Sequence, residues 1–214
     1  MPVATIMFAR APEVGAVKTR LIPALGARGA CRLHEALVRR TAATCLDAAT
    51  GPVYLACTPA IDAPLFVELC ASGVVRPIPQ RGQDLGTRML AALRDTIESV
   101  HPAIDGALIV GCDIPSLDSH DLSTAARWLE SGVPAVLGPA LDGGYFLIGL
   151  REPAQSLFEG IAWGTDSVLG ATRQKLADSG LNWRELAARR DVDRPEDLNA
   201  LQSTAPELSG MKNQ

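Results

Sequence analysis

The sequence predicts an α/β protein with three layers, in which helices cover both faces of a mixed, mostly parallel central sheet. Apolar runs of strand length recur along the chain, at 3–9, 52–58, 74–79, 107–112, 133–138 and 144–150. Stretches with helical spacing of apolar residues alternate with them, at 29–49, 84–99 and 118–131. Such alternation predicts parallel strands joined by crossover helices. The last two runs are separated by a connection too short for a crossover, so we expect them not to be parallel neighbours.

Length and composition favour one globular domain. The 214 residues fit a single α/β domain, and 47% hydrophobic with 21% charged residues is ordinary for a folded protein. We expect the domain to span 1–202 and the polar segment 203–214 to be a flexible tail. The five cysteines are widely spaced and form no C-x-x-C pair, so we expect reduced, mostly buried thiols.

Charge and apolar patterning restrict the partners. A net charge of -4 and few aromatic residues argue against nucleic acid, which leaves small molecules as the expected ligands. No apolar stretch approaches the roughly 18 residues that a membrane helix needs, and the apolar start of the chain is too short for a signal peptide. We therefore expect no membrane association and a cytoplasmic location.

Ligands of open α/β sheets bind at the carboxyl ends of the strands, so the residues after each apolar run are the informative ones. The first such loop carries three cations, Arg10, Lys18 and Arg20, together with Gly15. These cations could neutralise a polyphosphate, and the glycine could let the backbone approach it closely. A solvated surface loop is the alternative, because the loop lacks the P-loop and dinucleotide-binding glycine spacings.

Two acidic positions are candidates for a metal site. Asp113 follows the fourth apolar run, and a carboxylate at a strand end suits Mg²⁺. Asp113 could instead cap the turn before Pro115, although Ser116 offers the next helix a nearer cap. Asp191 and Asp193 are two residues apart in an extended segment and therefore face the same side. Asp193 could equally be an N-cap before a proline at the first helical position.

A glycine-rich turn, Asp142-Gly143-Gly144, precedes the last apolar run. The glycines permit positive φ or close approach of a ligand, but a hairpin turn explains Asp-Gly equally well. Further along the chain, Trp163 and Thr165 could line an acceptor pocket, with a packed tryptophan as the alternative.

The polar segment 80–89, which includes the start of the helix at 84–99, contains Asp84, Gly86 and Arg88. Backbone amides at that helix start would favour an anion or the edge of a nucleobase. Asp84 could also serve simply as the helix cap.

Taken together, these segments resemble one family. They read V-K-T-R-L, G-x-D-L-G-x-R-M, G-C-D-I-P-S-L, G-P-A-x-D-G-G-Y-x-L-I-G-L, W-x-T and D-V-D-x-P-E-D-L. The family is the bacterial DUF2064 group, also labelled rSAM/selenodomain-associated transferase, of the nucleotide-diphospho-sugar transferase superfamily with GT-A fold. The resemblance runs from Val3 to about Leu201. The chain is also similar to the 2-phospho-L-lactate and molybdenum cofactor guanylyltransferases.

The resemblance implies a Mg²⁺ or Mn²⁺ ion held by Asp113 together with Asp193, and phosphates held by the first loop. It implies that catalysis depends on Lys18, Arg20 and Asp113. The implied nucleotide-binding residues are Arg10, Gly15, Lys18, Arg20, Asp84, Gly86 and Arg88, and the implied acceptor-binding residues are Asp142, Gly143, Gly144, Trp163 and Thr165.

Two chemistries fit this arrangement. Nucleotidyl transfer from a nucleoside triphosphate to a small phosphorylated acceptor is favoured, because Lys18 and Arg20 suit a triphosphate. Glycosyltransferases of this fold usually carry Asp-x-Asp, whereas position 111 here is glycine. Glycosyl transfer from a nucleoside-diphosphate sugar is the alternative, and a non-catalytic nucleotide- or sugar-binding module is the third. The first loop lacks the Gly-Gly-rich sequence of the molybdenum cofactor enzymes, so the base is not predicted.

Overall fold

The computed structural model describes residues 1–99 and 104–199 together with Leu201, Ala205 and Leu208. In these residues the strands are β1 (Ala4–Arg10), β2 (Val53–Thr58), β3 (Val75–Pro79), β4 (Ala107–Gly111), β5 (Ala135–Pro139), β6 (Tyr145–Leu150) and β7 (Trp183–Glu185). The helices are α1 (Ile22–Ala48), α2 (Pro64–Cys70), α3 (Leu85–Ser99), α4 (Ser119–Glu130) and α5 (Val168–Asp178).

The strands form one sheet in the order β3-β2-β1-β4-β6-β5-β7. Strand β1 pairs in parallel with β2 and β4, and β7 pairs in parallel with β5. Strand β6 is antiparallel to both of its neighbours, β4 and β5. The predicted mixed, mostly parallel sheet is therefore confirmed, and the two runs with the short connection are antiparallel neighbours. Strand β7 was not predicted from the sequence, because three residues are too few to show a periodic pattern.

Both faces of the sheet are covered. Along β1, Met7 and Ala9 pack on the face covered by α1, α2 and α4, whereas Ala4 and Ile6 pack on the face covered by α3 and α5. All four side chains are 3% exposed or less. The alternation follows from the two-residue period of a strand, and it confirms the predicted three layers.

A third apolar cluster joins the C-terminal segment to α1. Leu33 and Leu37 of α1 pack with Val192 and with residues nearer the C-terminus, namely Leu198, Leu201, Ala205 and Leu208. Most of the tail predicted at 203–214 lies outside the described residues. Its two described residues, Ala205 and Leu208, are 0% and 6% exposed. Apolar packing thus continues past position 202, where the sequence led us to expect the domain boundary.

The five cysteines are free, and all except Cys70 are buried, as expected. Burial raises the pKa of the Cys45 thiol to about 12, so this thiol stays protonated and unreactive. In the described part of the chain, no helix combines the length and the apolar character needed to cross a membrane.

Candidate active site

The carboxyl ends of β1 and β4 bring the first loop and Asp113 together, because these strands are parallel neighbours. Within the loop, Lys18 adopts a left-handed backbone conformation (φ 48°, ψ 40°). That conformation costs a non-glycine residue about 1 kcal/mol and is found mostly where the surroundings enforce it. Here Val17 and Leu21 on either side are buried, and the backbone N–H of Leu21 donates to the Lys18 carbonyl at 2.8 Å. Burial of its neighbours therefore holds Lys18 in this conformation.

Four charged side chains form what we call the charge cluster: Lys18, Arg20, Asp113 and Asp193. The Lys18 ammonium lies 2.5 Å from Asp113 Oδ1 and 3.9 Å from Asp193 Oδ1. Arg20 Nη1 donates to Asp193 Oδ2 at 2.6 Å. The Lys18 side chain is only 4% exposed, whereas that of Asp113 is 52% exposed. The cation is thus buried, and half of the carboxylate that it neutralises remains open to solvent.

The C-terminal segment supplies the second carboxylate. The backbone N–H of Val192 donates to the Asp113 carbonyl at 2.9 Å, and the Val192 carbonyl accepts from Lys18 Nζ at 2.7 Å. Asp197, rather than Asp193, caps the turn that follows, because its Oδ2 accepts from the backbone N–H groups of Asp193 and Arg194. The alternative reading of Asp193 as a simple N-cap is therefore wrong.

The helix after Asp113 is capped by a different residue from the one that the sequence suggested. Asp118 Oδ1 accepts from the backbone N–H of Asp121 at 2.9 Å, and Asp121 Oδ2 accepts from the N–H of Asp118, which makes a capping box at the start of α4. Asp118 therefore takes the capping role that we assigned to Ser116. The described contact of the Asp113 carboxylate is with Lys18.

Asp113 and Asp193 present a donor set that fits Mg²⁺ or Mn²⁺. Magnesium is usually held by one or two carboxylates, by waters and by substrate phosphates rather than by a complete protein cage. In the ranges 1–99 and 104–199, no group of three or more His, Cys, Asp or Glu side chains could hold a metal ion. Two carboxylates near one another therefore suit an ion that is shared with a phosphate ligand.

Two adjoining cavities of about 370 and 490 Å³ open beside the charge cluster. The residues common to both are Arg20, Asp142, Gly164, Thr165, Asp191 and Asp193. The smaller cavity is also lined by Asp113, Gly144 and Trp163. This cleft brings together both predicted metal carboxylates and most predicted acceptor residues. Seven predicted site residues line neither cavity, namely Arg10, Gly15, Lys18, Asp84, Gly86, Arg88 and Gly143.

Asp191 is a partly buried carboxyl group in the cleft. Burial raises its pKa, and the nearby charges of Asp142 and Asp197 raise it further. Asp142 has a structural contact as well, because its Oδ1 accepts from the Gly144 N–H at 2.9 Å. Gly143 has φ 89°, and a Cβ there would collide with the Asp166 carbonyl. The hairpin reading thus explains Gly143, while Asp142 also faces the cleft.

The predicted nucleotide residues at the start of α3 make local contacts. Asp84 Oδ1 accepts from the Thr87 N–H at 2.7 Å, which confirms the helix cap, and this bond lowers the pKa of Asp84. Arg88 Nε donates to the Gly82 carbonyl at 3.0 Å. A Cβ on Gly86 would lie 2.5 Å from the Trp163 ring. Packing of that ring accounts for the glycine, and nucleotide contact by these residues stays a prediction.

Trp163 is a packed side chain at the wall of the cleft. Its ring meets Tyr145 edge-on, with ring centroids 6.5 Å apart, and stacks on Phe158 at the same separation. Thr165, two residues later, donates its hydroxyl to the Ala162 carbonyl at 2.7 Å. The packed-tryptophan alternative is thus confirmed, and contact of either residue with an acceptor stays a prediction.

Sequence reasoning missed His34, which supports the first loop from α1. Its side chain is buried, and Nε2 donates to the Arg10 carbonyl at 2.8 Å. Burial lowers the pKa of His34 despite this hydrogen bond, so the ring is held in its neutral form. A single histidine on a helix gave no sign of this contact.

Arg189 was missed as well. Its Nη2 lies 2.8 Å from both carboxylate oxygens of Asp121, and 3.8 Å from Asp118. We call these three residues the Arg189 cluster. The backbone of Arg189 also bonds to Leu141 and Pro139, so this residue ties the C-terminal segment to both α4 and the β5–β6 hairpin. Its acidic partners lie about 70 positions earlier, beyond the range of any local pattern.

The fold and the strand-end charges define an α/β protein of the nucleotide-diphospho-sugar transferase fold. Within this class, the chain belongs to the family described as "Uncharacterized protein conserved in bacteria (DUF2064)", whose model matches residues 41–165. The matched region contains Asp113, Asp142 and Trp163. No match was found among curated proteins.

Solved structures agree with this assignment. A protein of Desulfovibrio desulfuricans G20, provisionally named a nucleotide-diphospho-sugar transferase, is 26% identical, with TM-score 0.82 over 98% of this chain and 93% of that one. The 4-diphosphocytidyl-2C-methyl-D-erythritol synthase of Anaerococcus prevotii DSM 20548 is 10% identical, with TM-score 0.60 over 94% and 95%. Glucosyl-3-phosphoglycerate synthase of Mycobacterium tuberculosis, solved with Mn²⁺ and UDP, is 10% identical, with TM-score 0.54 over 100% and 81%. At such low identity, the last two show the fold alone.

Proposed function

We propose that this chain is a Mg²⁺-dependent nucleotidyltransferase that transfers a nucleotidyl group from a nucleoside triphosphate to a small phosphorylated acceptor. The observation that carries this proposal is the charge cluster. Its cations come from the loop after β1, and its carboxylates come from the end of β4 and from the C-terminal segment. Two cations and two carboxylates converge where an open α/β sheet binds its ligands.

In the proposed reaction, an oxygen of the acceptor phosphate forms a bond to the α-phosphorus, and the bond from that phosphorus to the bridging oxygen breaks. Pyrophosphate leaves with the electron pair of that bond. A divalent ion held by Asp113 and Asp193 would withdraw charge from the phosphate oxygens that it contacts. The Arg20 side chain is 63% exposed, so its guanidinium can turn from Asp193 towards the pyrophosphate. Catalysis would rest on positioning and electrostatic stabilisation.

Glycosyl transfer from a nucleoside-diphosphate sugar is a second candidate, and the lining of the cleft favours it. Asp142 and Asp191 face the space next to Asp113, and carboxylates are good acceptors for sugar hydroxyl groups. The glucosyl-3-phosphoglycerate synthase, which has a related fold, was solved with UDP and Mn²⁺. Position 111 is glycine, where glycosyltransferases of this fold usually carry the first Asp of Asp-x-Asp, and this argues against glycosyl transfer. A binding module without turnover is the third possibility.

The deciding experiment supplies each nucleoside triphosphate, with Mg²⁺ and a mixture of sugar phosphates and phosphorylated hydroxy acids, and measures pyrophosphate. Nucleoside-diphosphate sugars are tested in parallel for release of the diphosphate. We expect pyrophosphate with one triphosphate, and only when an acceptor is present. Asp113→Asn should lower the rate by about 100-fold or more, since an electrostatic contact at the reacting phosphate is lost.

Asp47→Asn is the matched control, because Asp47 is exposed on α1 and its replacement makes the same charge change. This variant should keep the full rate. Diphosphate release without pyrophosphate would favour the glycosyltransferase instead. Saturable nucleotide binding with neither product would favour the binding module.

A further inference from the structure

We infer that Lys18 and Arg20 are internal counter-ions of Asp113 and Asp193, so that the site binds a free divalent cation weakly and takes it up together with a polyphosphate. This inference rests on the proposed function, because it concerns the same two carboxylates. It changes the role of Lys18, which the sequence led us to regard as a direct phosphate ligand.

The charge balance of the cluster is the first argument. Asp113 is neutralised by Lys18 at 2.5 Å, and Asp193 by Arg20 at 2.6 Å. The four side chains together are neutral, so a divalent cation bound without another ligand would give the cluster a net charge of +2. This positive charge would lie beside an ammonium that is almost completely buried. A polyphosphate brings the negative charge that restores the balance. Metal and polyphosphate should therefore bind with positive coupling.

The unequal freedom of the two cations is the second argument. Lys18 is only 4% exposed, and its ammonium is also held by the Val192 carbonyl at 2.7 Å. Its backbone is fixed in the left-handed region between two buried neighbours. Arg20, by contrast, is 63% exposed, with a single described partner, Asp193. Lys18 thus stays beside Asp113 when ligands bind, whereas Arg20 can exchange Asp193 for a phosphate.

The test measures Mn²⁺ binding by the loss of the electron paramagnetic resonance signal of the free ion. Titrations are done with and without α,β-methylene nucleoside triphosphates, each tried singly, and the signal lost to the complex of Mn²⁺ with the free analogue is measured without protein and subtracted. For the native chain, we expect weak binding of Mn²⁺ alone and at least about tenfold tighter binding with one analogue, which corresponds to the usual coupling between two sites.

Lys18→Met keeps the length of the side chain and removes its charge. We expect this variant to bind Mn²⁺ alone about tenfold more tightly, because a unit charge near the ion is removed. The ratio between the Mn²⁺ affinities with and without the analogue should fall by a similar factor. Arg20→Met should raise the affinity for Mn²⁺ alone only about two- to threefold, since Arg20 is exposed and screened by solvent. Lys175→Met is the matched control, because it makes the same substitution on α5 at a residue that lines neither cavity. This variant should behave as the native chain.

The outcomes separate the inference from the proposed function. Suppose that the native chain binds Mn²⁺ more tightly with an analogue, but Lys18→Met binds Mn²⁺ alone no more tightly than the native chain does. That result overturns the inference and leaves the proposed function in place. Weaker binding would mean that Lys18 holds the carboxylates in position. If no chain binds Mn²⁺ even with an analogue, the metal role in the proposed function fails as well. Circular dichroism checks folding, and if Lys18→Met does not fold, an unchanged affinity of Arg20→Met overturns the inference.

Discussion

The charge cluster at the end of β4 and the Arg189 cluster at the start of α4 both contain ion pairs, but in the first the carboxylate is the exposed partner and in the second the cation is. In the charge cluster the Lys18 side chain is 4% exposed and that of Asp113 is 52% exposed. In the Arg189 cluster the arginine is 27% exposed and Asp121 only 8%. Asp121 therefore has both oxygens engaged inside the protein, whereas Asp113 keeps oxygen surface for another ligand. The exposure of the carboxylate, rather than the strength of the ion pair, distinguishes the proposed ligand site from a structural contact.

The largest effect on stability is expected when the buried pair is broken. Arg189→Met leaves Asp121 buried without its cation, and this should lower the free energy of unfolding by about 2 kcal/mol. The expected fall in Tm is about 4–8 °C for a chain of this size. The loss is smaller than for an ideal pair, because Arg189 Nε is buried without a hydrogen-bond partner among the described residues. Thermal unfolding followed by circular dichroism measures it.

Arg28→Met is the matched control, because Arg28 is exposed on α1, and its Tm should stay within about 1–2 °C of the native value. A native-like Tm for Arg189→Met would show that Asp121 needs no cation, and the contrast between the two clusters would disappear.

Removing the charge of the half-exposed Asp113 carboxylate should cost less stability and more function. In Asp113→Asn the amide oxygen can still accept from the Lys18 ammonium, which also keeps its bond to the Val192 carbonyl and the Asp193 carboxylate at 3.9 Å. We therefore expect a loss of only about 1 kcal/mol, or about 2–4 °C in Tm. The same variant should show the large loss of activity described above. Urea unfolding curves beside the pyrophosphate assay test this split. A loss of stability larger than that of Arg189→Met would make Asp113 a structural residue.

The smallest expected effect concerns pH and the support of the first loop. Burial lowers the pKa of His34, so below the ordinary value of 6.5 the unfolded chain binds a proton that the folded chain resists. The contribution of His34 to stability is therefore complete above pH 6.5 and is lost as the pH falls below it. Urea unfolding between about pH 7.5 and 5 should show a steeper loss for the native chain than for His34→Gln. Equal slopes would mean that another group causes the loss.

Features that depend on the local sequence pattern could be predicted from the sequence. Asp113 could be placed at the end of β4 because an apolar run stops just before it, and the three-layer fold follows from alternating strands and helices. The partners of these residues could not be predicted. That Lys18 contacts Asp113 depends on the parallel pairing of β1 with β4 and on burial of Val17 and Leu21, which become visible only in the folded chain.

Gly86 also has a neighbour that the sequence did not predict. A glycine at a helix start is typical of close ligand approach, but here the absence of a side chain makes room for the Trp163 ring. The tryptophan lies 77 positions later, so no local pattern could connect the two. Nucleotide contact by Gly86 stays a prediction, and its packing against the Trp163 ring becomes visible only in the folded chain.

The hydrogen bond from Val192 to the Asp113 carbonyl also has a consequence for the order in which the chain matures. During synthesis, the first loop and β4 leave the ribosome well before the segment that carries Asp193. Until that segment docks against α1, Asp113 and Lys18 have no second carboxylate beside them. A nascent chain can thus form much of its sheet without yet presenting both carboxylates, and the proposed metal site is complete only once the last part of the domain packs on the first.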